Sequence, residues 1–206
     1  MPGPDRPALL PKRNVGRERV ANLMIAGSDV ICERGFDAAT MAEIAERAGA
    51  KIGSLYRFFP SKEVLADALM QHYTDLIDAA CDEIDARLPA VTEDELADLF
   101  ADFLVRIHHE TKAFSAMLDA RSKWSTKRLE FREQALKRFA NTLLLRAPKL
   151  QRKTAKDMAV VLLNNMKMMV AMTVDHSAPT SSGSADELRL MNRLYLASKL
   201  AGFARR

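Results

Sequence analysis

Cysteine is scarce in this chain, since Cys32 and Cys81 are the only two and no Cys-x-x-Cys spacing occurs. This scarcity excludes a secreted disulfide framework and a cysteine zinc site, and we expect two buried thiols. The longest apolar run, within residues 158–174, is broken by two asparagines and a lysine, and no apolar segment follows the N-terminal charges. We therefore expect a cytoplasmic protein with neither a membrane span nor a secretory signal.

Patterns that carry catalysis are also missing. The sequence has no nucleophile elbow, no phosphate-binding glycine loop and no zinc signature. His108, His109 and Glu110 are consecutive, so on a helix they point in different directions and do not converge on one metal ion. We expect no catalytic residues, no metal site and no cofactor, and hence no enzyme.

A helix, a tight turn and a second short helix are predicted over residues 40–65. Thr40 and Glu43 have the spacing of a reciprocal capping box, which marks the start of the first helix. Gly49 suits the positive φ that ends a helix in a sharp turn. A recognition helix is predicted over 51–59, and the small residues in its first turn allow it to approach base edges. This is the outline of a DNA-reading helix-turn-helix.

Residues 31–65 resemble the N-terminal DNA-binding domain of the tetracycline-repressor (TetR) family of bacterial transcription regulators. The shared residues run from an Arg-Gly-Phe corner to a Ser-Lys pair and are Arg34, Gly35, Phe36, Thr40, Ile44, Ala45, Gly49, Gly53, Ser54, Leu55, Tyr56, Phe59, Ser61 and Lys62. The resemblance implies that phosphates are held by Thr40, Tyr56 and Lys62. It implies that the major groove is faced by Lys51, Gly53 and Ser54, while Leu55 and Phe59 lie in the core.

Three residues depart from the family pattern. Phe58 stands where histidine or tyrosine is usual, which removes a polar phosphate contact. Lys51 replaces a common serine or threonine and so exchanges a capping hydroxyl for a cation. Gly27 stands where alanine is usual, although a mid-helix glycine costs about 1 kcal/mol. Close packing against a neighbouring helix is one explanation for this glycine.

The charge distribution is more informative than the formal net charge of +4, which merely permits nucleic-acid binding. Residues 1–15 are rich in proline and form a predicted flexible basic arm. Its cations are Arg6, Lys12 and Arg13, with Arg17 and Arg19 just beyond. Such an arm either adds phosphate or minor-groove contacts or is a solvated tail.

Two segments in the rest of the chain carry opposite charge. Acidic residues outnumber basic ones over 67–119, whereas basic residues dominate over 121–153. We expect the two segments to attract one another within the fold. A second nucleic-acid surface on the basic stretch is the alternative.

The sequence predicts an all-α protein, because the part after residue 65 shows helical spacing and no strand pattern. A three-helix helix-turn-helix DNA-binding domain is expected over 16–62, and a helical effector-binding and dimerisation domain over 63–206. Helices in the second domain are predicted over 61–88, 93–109, 112–123, 126–145, 152–174 and 185–203.

The last two predicted helices indicate a homodimer. The helix over 152–174 is apolar on two sides and must be covered twice, while the last helix carries small residues that allow close approach. A four-helix interface between two copies, which the resemblance also implies, presents two recognition helices to a palindromic operator. The predicted interface comprises Leu188, Met191, Tyr195, Ser198, Ala201 and Gly202.

A small-molecule effector is expected in the second domain, where aromatic and methionine side chains suit an adaptable apolar pocket. The candidate effector-binding residues are Phe103, Ile107, Phe114, Met117, Trp124, Asn165, Met166 and Met169, with Asn165 placed to orient the ligand. A filled core is the competing interpretation, because spacing alone does not distinguish a pocket from packing.

These features predict a homodimeric repressor that binds double-stranded DNA and is released from its operator by a small, largely apolar effector. The resemblance implies repression as the usual outcome, although some members of the family activate. The alternative is an architectural or recruitment protein that uses the same helix-turn-helix on DNA without a small ligand. A filled core with a large exposed apolar patch would favour recruitment.

Overall fold

The computed structural model describes residues 7–9, 11, 13–108, 113, 117, 125–174 and 183–203. In these residues the chain forms α-helices and no β-strand, which confirms the all-α prediction. The helices are α1 (Asn14–Arg34), α2 (Met41–Arg47), α3 (Ile52–Phe58), α4 (Lys62–Arg87), α5 (Glu93–His108), α6 (Ser125–Arg146), α7 (Arg152–Val174) and α8 (Ser184–Leu200). The helix predicted over 112–123 falls largely outside the described residues. No helix within them is long and apolar enough to cross a lipid bilayer.

The chain divides into two compact units. The N-terminal unit comprises Met1–Asp75 and Glu110–Phe131, and the C-terminal unit comprises Leu76–His109 and Arg132–Arg206. In the N-terminal unit, α1 packs against α2 and α2 against α3. The buried side chains at the centre of this unit include Leu23, Ile31, Ile44, Leu55, Phe59, Leu65 and Tyr73.

The first turns of α4 pack closely against α1 in the N-terminal unit. A Cβ atom added at Gly27 would lie 2.8 Å from Cδ2 of Leu65, a side chain that is fully buried. The hydroxyl groups of Ser28 and Tyr73 lie 3.2 Å apart, and burial raises the pKa of Tyr73 to about 12. The close-packing explanation for Gly27 is therefore confirmed, because a larger residue would meet α4.

We predict that Gly27→Ala lowers the free energy of unfolding by about 1 kcal/mol, because overpacking against Leu65 outweighs the gain in helix propensity. In a Leu65→Ala background the same change should stabilise the protein, since the cavity accepts the new methyl group. Urea unfolding of the four proteins measures both effects. An equal effect of Gly27→Ala in the two backgrounds would contradict the contact.

The expectation of two buried thiols is wrong for one of them. Cys81 is buried, and burial raises the pKa of its thiol to about 12. Cys32 is exposed. In α1 the buried face includes Val30 and Ile31, and one further step of about 100° carries position 32 away from that face.

The C-terminal unit is held together by helix packing around an aromatic cluster. Here α5 packs against α7 and α8, and α7 packs against α8. The ring of Phe139 on α6 lies 4.9 Å from the ring of Phe100 and 6.4 Å from that of Phe103, measured between centroids. All three rings are buried, so aromatic packing contributes to the interior of this unit.

Opposite charges meet inside the C-terminal unit, as the two charged segments predicted. Nη2 of Arg138 on α6 lies 2.6 Å from a carboxylate oxygen of Asp82, and its Nε lies 3.1 Å from Asp78. Arg146 forms a 2.6 Å ion pair with Glu93 at the start of α5. The predicted attraction between the acidic and basic segments is confirmed by these pairs.

A second set of ion pairs fastens α8 to α5. Arg193 binds both carboxylate oxygens of Asp98, with distances of 2.9 and 2.7 Å from its Nε and Nη2. Arg189 donates to Asp98 at 3.2 Å and to Asp102 at 2.6 Å. The planar guanidinium suits such two-point binding, so these pairs orient α8 as well as hold it.

Candidate nucleic-acid interface

The first helix of the helix-turn-helix begins with the predicted capping box. The Glu43 N–H donates to the Thr40 hydroxyl at 3.2 Å, and the Thr40 N–H donates to Glu43 Oε2 at 3.1 Å. The Thr40 hydroxyl also lies 2.8 Å from Oε2, and these bonds lower the pKa of the Glu43 carboxyl. The hydroxyl assigned by resemblance to a phosphate thus already caps α2.

Gly49 makes the turn between α2 and α3. Its φ is 58°, in the left-handed region, and its N–H donates to the carbonyl of Glu46 at 2.9 Å. The Ala50 N–H donates to the Ala45 carbonyl, also at 2.9 Å, which completes a Schellman motif. The carbonyls at the end of α2 are therefore satisfied, and the chain turns directly into the recognition helix.

The recognition helix α3 has one buried and one exposed side. Leu55 and Phe59 are buried, as the resemblance implied. On the outer side lie Lys51, Ile52, Gly53, Tyr56 and Arg57, all exposed, while Ser54 is partly buried. The helix is shorter than predicted because Lys51 is its N-cap and Phe59 its C-cap. A short helix with one exposed side can enter a major groove.

Ile52 is a candidate contact that the sequence interpretation missed. Its side chain is 43% exposed, as is that of Tyr56, one helical turn later on the same side. An exposed apolar group at the start of a recognition helix suits the methyl group of thymine. The sequence feature that could have identified Ile52 is its four-residue spacing from Tyr56. This spacing puts both residues on the same side of the helix, away from its buried residues.

Phe58 adds no polar group to the outer side of α3. Its side chain is buried, and the guanidinium of Arg57 lies 5.7 Å from the centre of its ring. This placement agrees with the loss of a polar phosphate contact inferred from the family pattern. The cation of the neighbouring Arg57 remains exposed.

Lys62 stabilises the corner between α1 and α2. Its ammonium donates to the carbonyls of Phe36 at 2.6 Å, Asp37 at 3.0 Å and Ala39 at 2.8 Å. The same nitrogen lies 4.8 Å from the centre of the Phe36 ring. A lysine ammonium has three donors, and three carbonyls engage them here. A phosphate contact by Lys62 would therefore require one of these bonds to break.

Residues 23–69 match the sequence model of the tetR family of bacterial regulatory proteins. This segment contains the capping box, the Gly49 turn, the exposed side of α3 and the Lys62 corner. The N-terminal domain belongs to the TetR family.

Curated relatives of this TetR-family domain are transcriptional regulators from Mycolicibacterium smegmatis. The transcriptional activator FasR is 47% identical over 58 residues, which are 28% of this chain and 26% of FasR. The transcriptional repressor KstR is 36% identical over 66 residues, which are 32% of each chain. The match thus spans about a third or less of each relative's length.

The similarity of fold extends further along the chain. The transcriptional regulator FadR from Bacillus subtilis, solved in complex with stearoyl-CoA, aligns with a TM-score of 0.63 at 16% sequence identity. The alignment covers 86% of this chain and 97% of FadR. At that identity the likeness shows a shared helical fold.

The residues assigned to an effector fall into three groups. Phe103, Ile107, Met166 and Met169 are buried in the C-terminal unit, and Met117 is buried in the N-terminal unit. Asn165 donates its amide to the side-chain oxygen of Asn192 at 3.1 Å. Phe114 and Trp124 lie outside the described residues.

A separate groove of about 690 Å³ opens in the C-terminal unit and is lined mainly by polar and charged side chains, among them Lys137, Arg152 and Lys156.

The residues assigned to the dimer interface lie on α8 and just beyond it. Met191, Ser198, Ala201 and Gly202 are exposed, and Leu188 and Tyr195 are partly buried. The helix ends at Leu200, three residues earlier than predicted, because residues 201–203 tighten into a 3₁₀ turn. Further exposed apolar side chains on these two helices are Leu190 and Leu194 on α8 and Val161 and Met168 on α7.

We predict that Lys62→Met lowers the free energy of unfolding by about 1–3 kcal/mol, because three carbonyls lose a charged donor while the apolar stem is retained. The matched control is Lys51→Met, which removes an exposed cation from the same domain. Denaturant unfolding of both variants measures the difference.

The salt dependence of DNA binding gives an independent check on Lys62. If its role is the corner, the slope of log K against log salt stays the same in Lys62→Met. A slope reduced by about 0.9 together with unchanged stability would instead assign Lys62 to a phosphate.

Proposed function

We propose that this protein is a sequence-specific transcription regulator in the cytoplasm, a homodimeric repressor that a small, largely apolar effector releases from a palindromic operator. The observation that carries the DNA-binding part is the exposed outer side of α3, which the Gly49 turn and the Lys62 corner hold in place. Both FasR and KstR, which match this domain, are transcriptional regulators. We propose that the protein has no enzymatic activity.

The proposed DNA contacts divide into base contacts and phosphate contacts. Lys51, Ile52, Gly53 and Ser54 form the first turn of α3 and are proposed to face base edges in the major groove. Tyr56 has an exposed hydroxyl-bearing side chain suited to a phosphate. Thr40 and Lys62 contribute by fixing α2 and the corner before it. A phosphate contact by Thr40 would add to that role, whereas one by Lys62 would cost a hydrogen bond in the corner.

A second copy of the chain is the proposed occupant of the exposed apolar surface on α7 and α8. Leu194 is 62% exposed and Met191 is 56% exposed, and Val161 and Met168 are exposed on α7, which packs against α8. Monomeric proteins rarely expose large contiguous apolar patches. Two-fold pairing of these helices would bury the surface and give the two recognition helices the symmetry of a palindrome.

The effector is proposed to be largely apolar because the C-terminal unit has an interior rich in methionine and aromatic side chains. Met166, Met169 and Phe103 are buried there, and methionine adapts readily to apolar ligands. FadR, which shares the fold, was solved with stearoyl-CoA, a ligand with a long apolar chain. Preferential binding to one dimer state, with a coupling of about 1–3 kcal/mol, would change operator affinity about 5- to 150-fold.

Repression is proposed as the outcome because it requires the fewest additional contacts. A dimer bound over a promoter blocks transcription by occupancy alone, whereas activation needs a further productive contact with the transcription machinery. The two relatives from Mycolicibacterium smegmatis include one of each kind, FasR as an activator and KstR as a repressor. The position of the operator relative to the promoter is therefore part of the test.

We predict that the purified protein enriches one palindromic sequence from fragmented genomic DNA at near-physiological salt. Enrichment is expected because two recognition helices related by a two-fold axis read two related half-sites. Sequencing of the bound fragments gives the operator and its distance from the promoter. Tight binding without enrichment would favour the architectural alternative, and the absence of binding would contradict the proposal.

We predict that Leu194→Glu converts the dimer to a monomer, because a carboxylate would be buried in the proposed apolar interface. The control is Leu145→Glu, which places the same charge at a 56% exposed leucine on α6, outside that interface. Sedimentation equilibrium and operator binding are measured for both variants. Identical oligomeric states for the two variants would contradict the proposed interface.

A further inference from the structure

The segment before α1 is attached to the recognition helix. Here the arm means the described part of the predicted basic arm, residues 7–9, 11 and 13. The Leu9 N–H donates to the carbonyl of Phe58, the last residue of α3, at 3.0 Å. The arm also lies against α1, since a Cβ atom added at Gly16 would be 2.7 Å from Cβ of Pro11. A tail that is merely solvated would make neither contact.

The contact with Phe58 places the arm beside the proposed DNA-reading surface. The last carbonyls of a helix lack partners within the helix, and Leu9 supplies a donor to one of them. The bond joins two backbones and does not depend on burial of the Leu9 side chain, which is 48% exposed. The arm therefore acts as a cap on the recognition helix, two residues after Tyr56.

The arm leads into a group of cations that lack acidic partners. Between residues 6 and 19 the sequence has five basic residues and a single carboxylate. Arg13, Arg17 and Arg19 are exposed, and none of them forms an ion pair with any residue that the structure describes. By contrast, Arg47 in the same unit binds both carboxylate oxygens of Glu33, at 2.8 and 2.7 Å. Exposed cations that follow a segment bonded to the end of α3 fit the phosphates of a DNA duplex.

We propose that the arm and the start of α1 form a second DNA-contacting element, in which Arg13 and Arg17 bind phosphates that flank the half-site read by α3. The proposal rests on the proposed DNA-binding function. Phe58 offers DNA no polar side chain, so the arm adds cations to the one that Arg57 supplies in the last turn of α3. These contacts add affinity for any sequence, because phosphates carry no base identity.

The test compares the parent protein with the double variant Arg13→Gln/Arg17→Gln on duplex DNA of random sequence, over a series of salt concentrations. The slope of log K against log salt should fall in magnitude by up to about 1.8, or about 0.9 for each phosphate that an arginine no longer neutralises. The control is Lys149→Gln/Lys153→Gln, which removes two exposed cations from the C-terminal unit. Its slope should equal that of the parent.

A second pair of variants tests the attachment of the arm. Leu9→Pro removes the N–H that binds Phe58, and Ala8→Pro changes the neighbouring residue in the same way without removing that donor. We expect Leu9→Pro to weaken DNA binding about threefold, the equivalent of one hydrogen bond, and Ala8→Pro to leave it unchanged. Thermal unfolding of both variants is measured to check that they retain the parent fold.

The outcomes distinguish a failure of the arm proposal from a failure of the proposed DNA-binding function. If the parent binds duplex DNA and the arginine variant has the slope of its control, the arm is a solvated tail and the proposal is overturned. Equal effects of Leu9→Pro and Ala8→Pro would overturn the attachment. If the parent itself shows no salt-dependent DNA binding, the proposed function fails as well.

Discussion

The proposed DNA-reading surface depends on the ammonium of Lys62 and the three carbonyls that it binds. Those carbonyls belong to Phe36, Asp37 and Ala39, in the corner where α1 gives way to α2. Gly35, at φ 78°, lets the chain leave α1, and Lys62 then fills the corner with a charged donor. Such bonds are stronger than neutral ones, so they hold the corner from which α2 starts.

The donor in this corner comes from the first residue of α4, a helix that begins in one unit and ends in the other. The same helix carries Tyr73, which meets Ser28 of α1, and Asp78 and Asp82, which pair with Arg138. A single continuous helix thus has structural contacts at both ends.

The cations of the two units have different surroundings. In the C-terminal unit Arg138, Arg146, Arg189 and Arg193 are paired with carboxylates, and the first two of these belong to the basic stretch. In the N-terminal unit, Arg13, Arg17, Arg19 and Lys51 are exposed without such pairs among the described residues. Exposed cations remain in both units, among them Arg13 and Arg17 in the N-terminal unit and Lys149 and Lys153 in the C-terminal unit, and a tally of charges does not locate them.

Features that arise between close neighbours in the chain could be predicted before the fold was known. The Thr40–Glu43 capping box and the Gly49 turn join residues three to five positions apart, so residue type and spacing were sufficient to predict them. Contacts between distant residues depend on how the helices pack: Lys62 with the corner, Gly27 with Leu65, and Leu9 with Phe58. Periodicity says which positions are apolar but not which helix covers them, so it predicted neither the exposure of Cys32 and Ile52 nor the partner of Lys62.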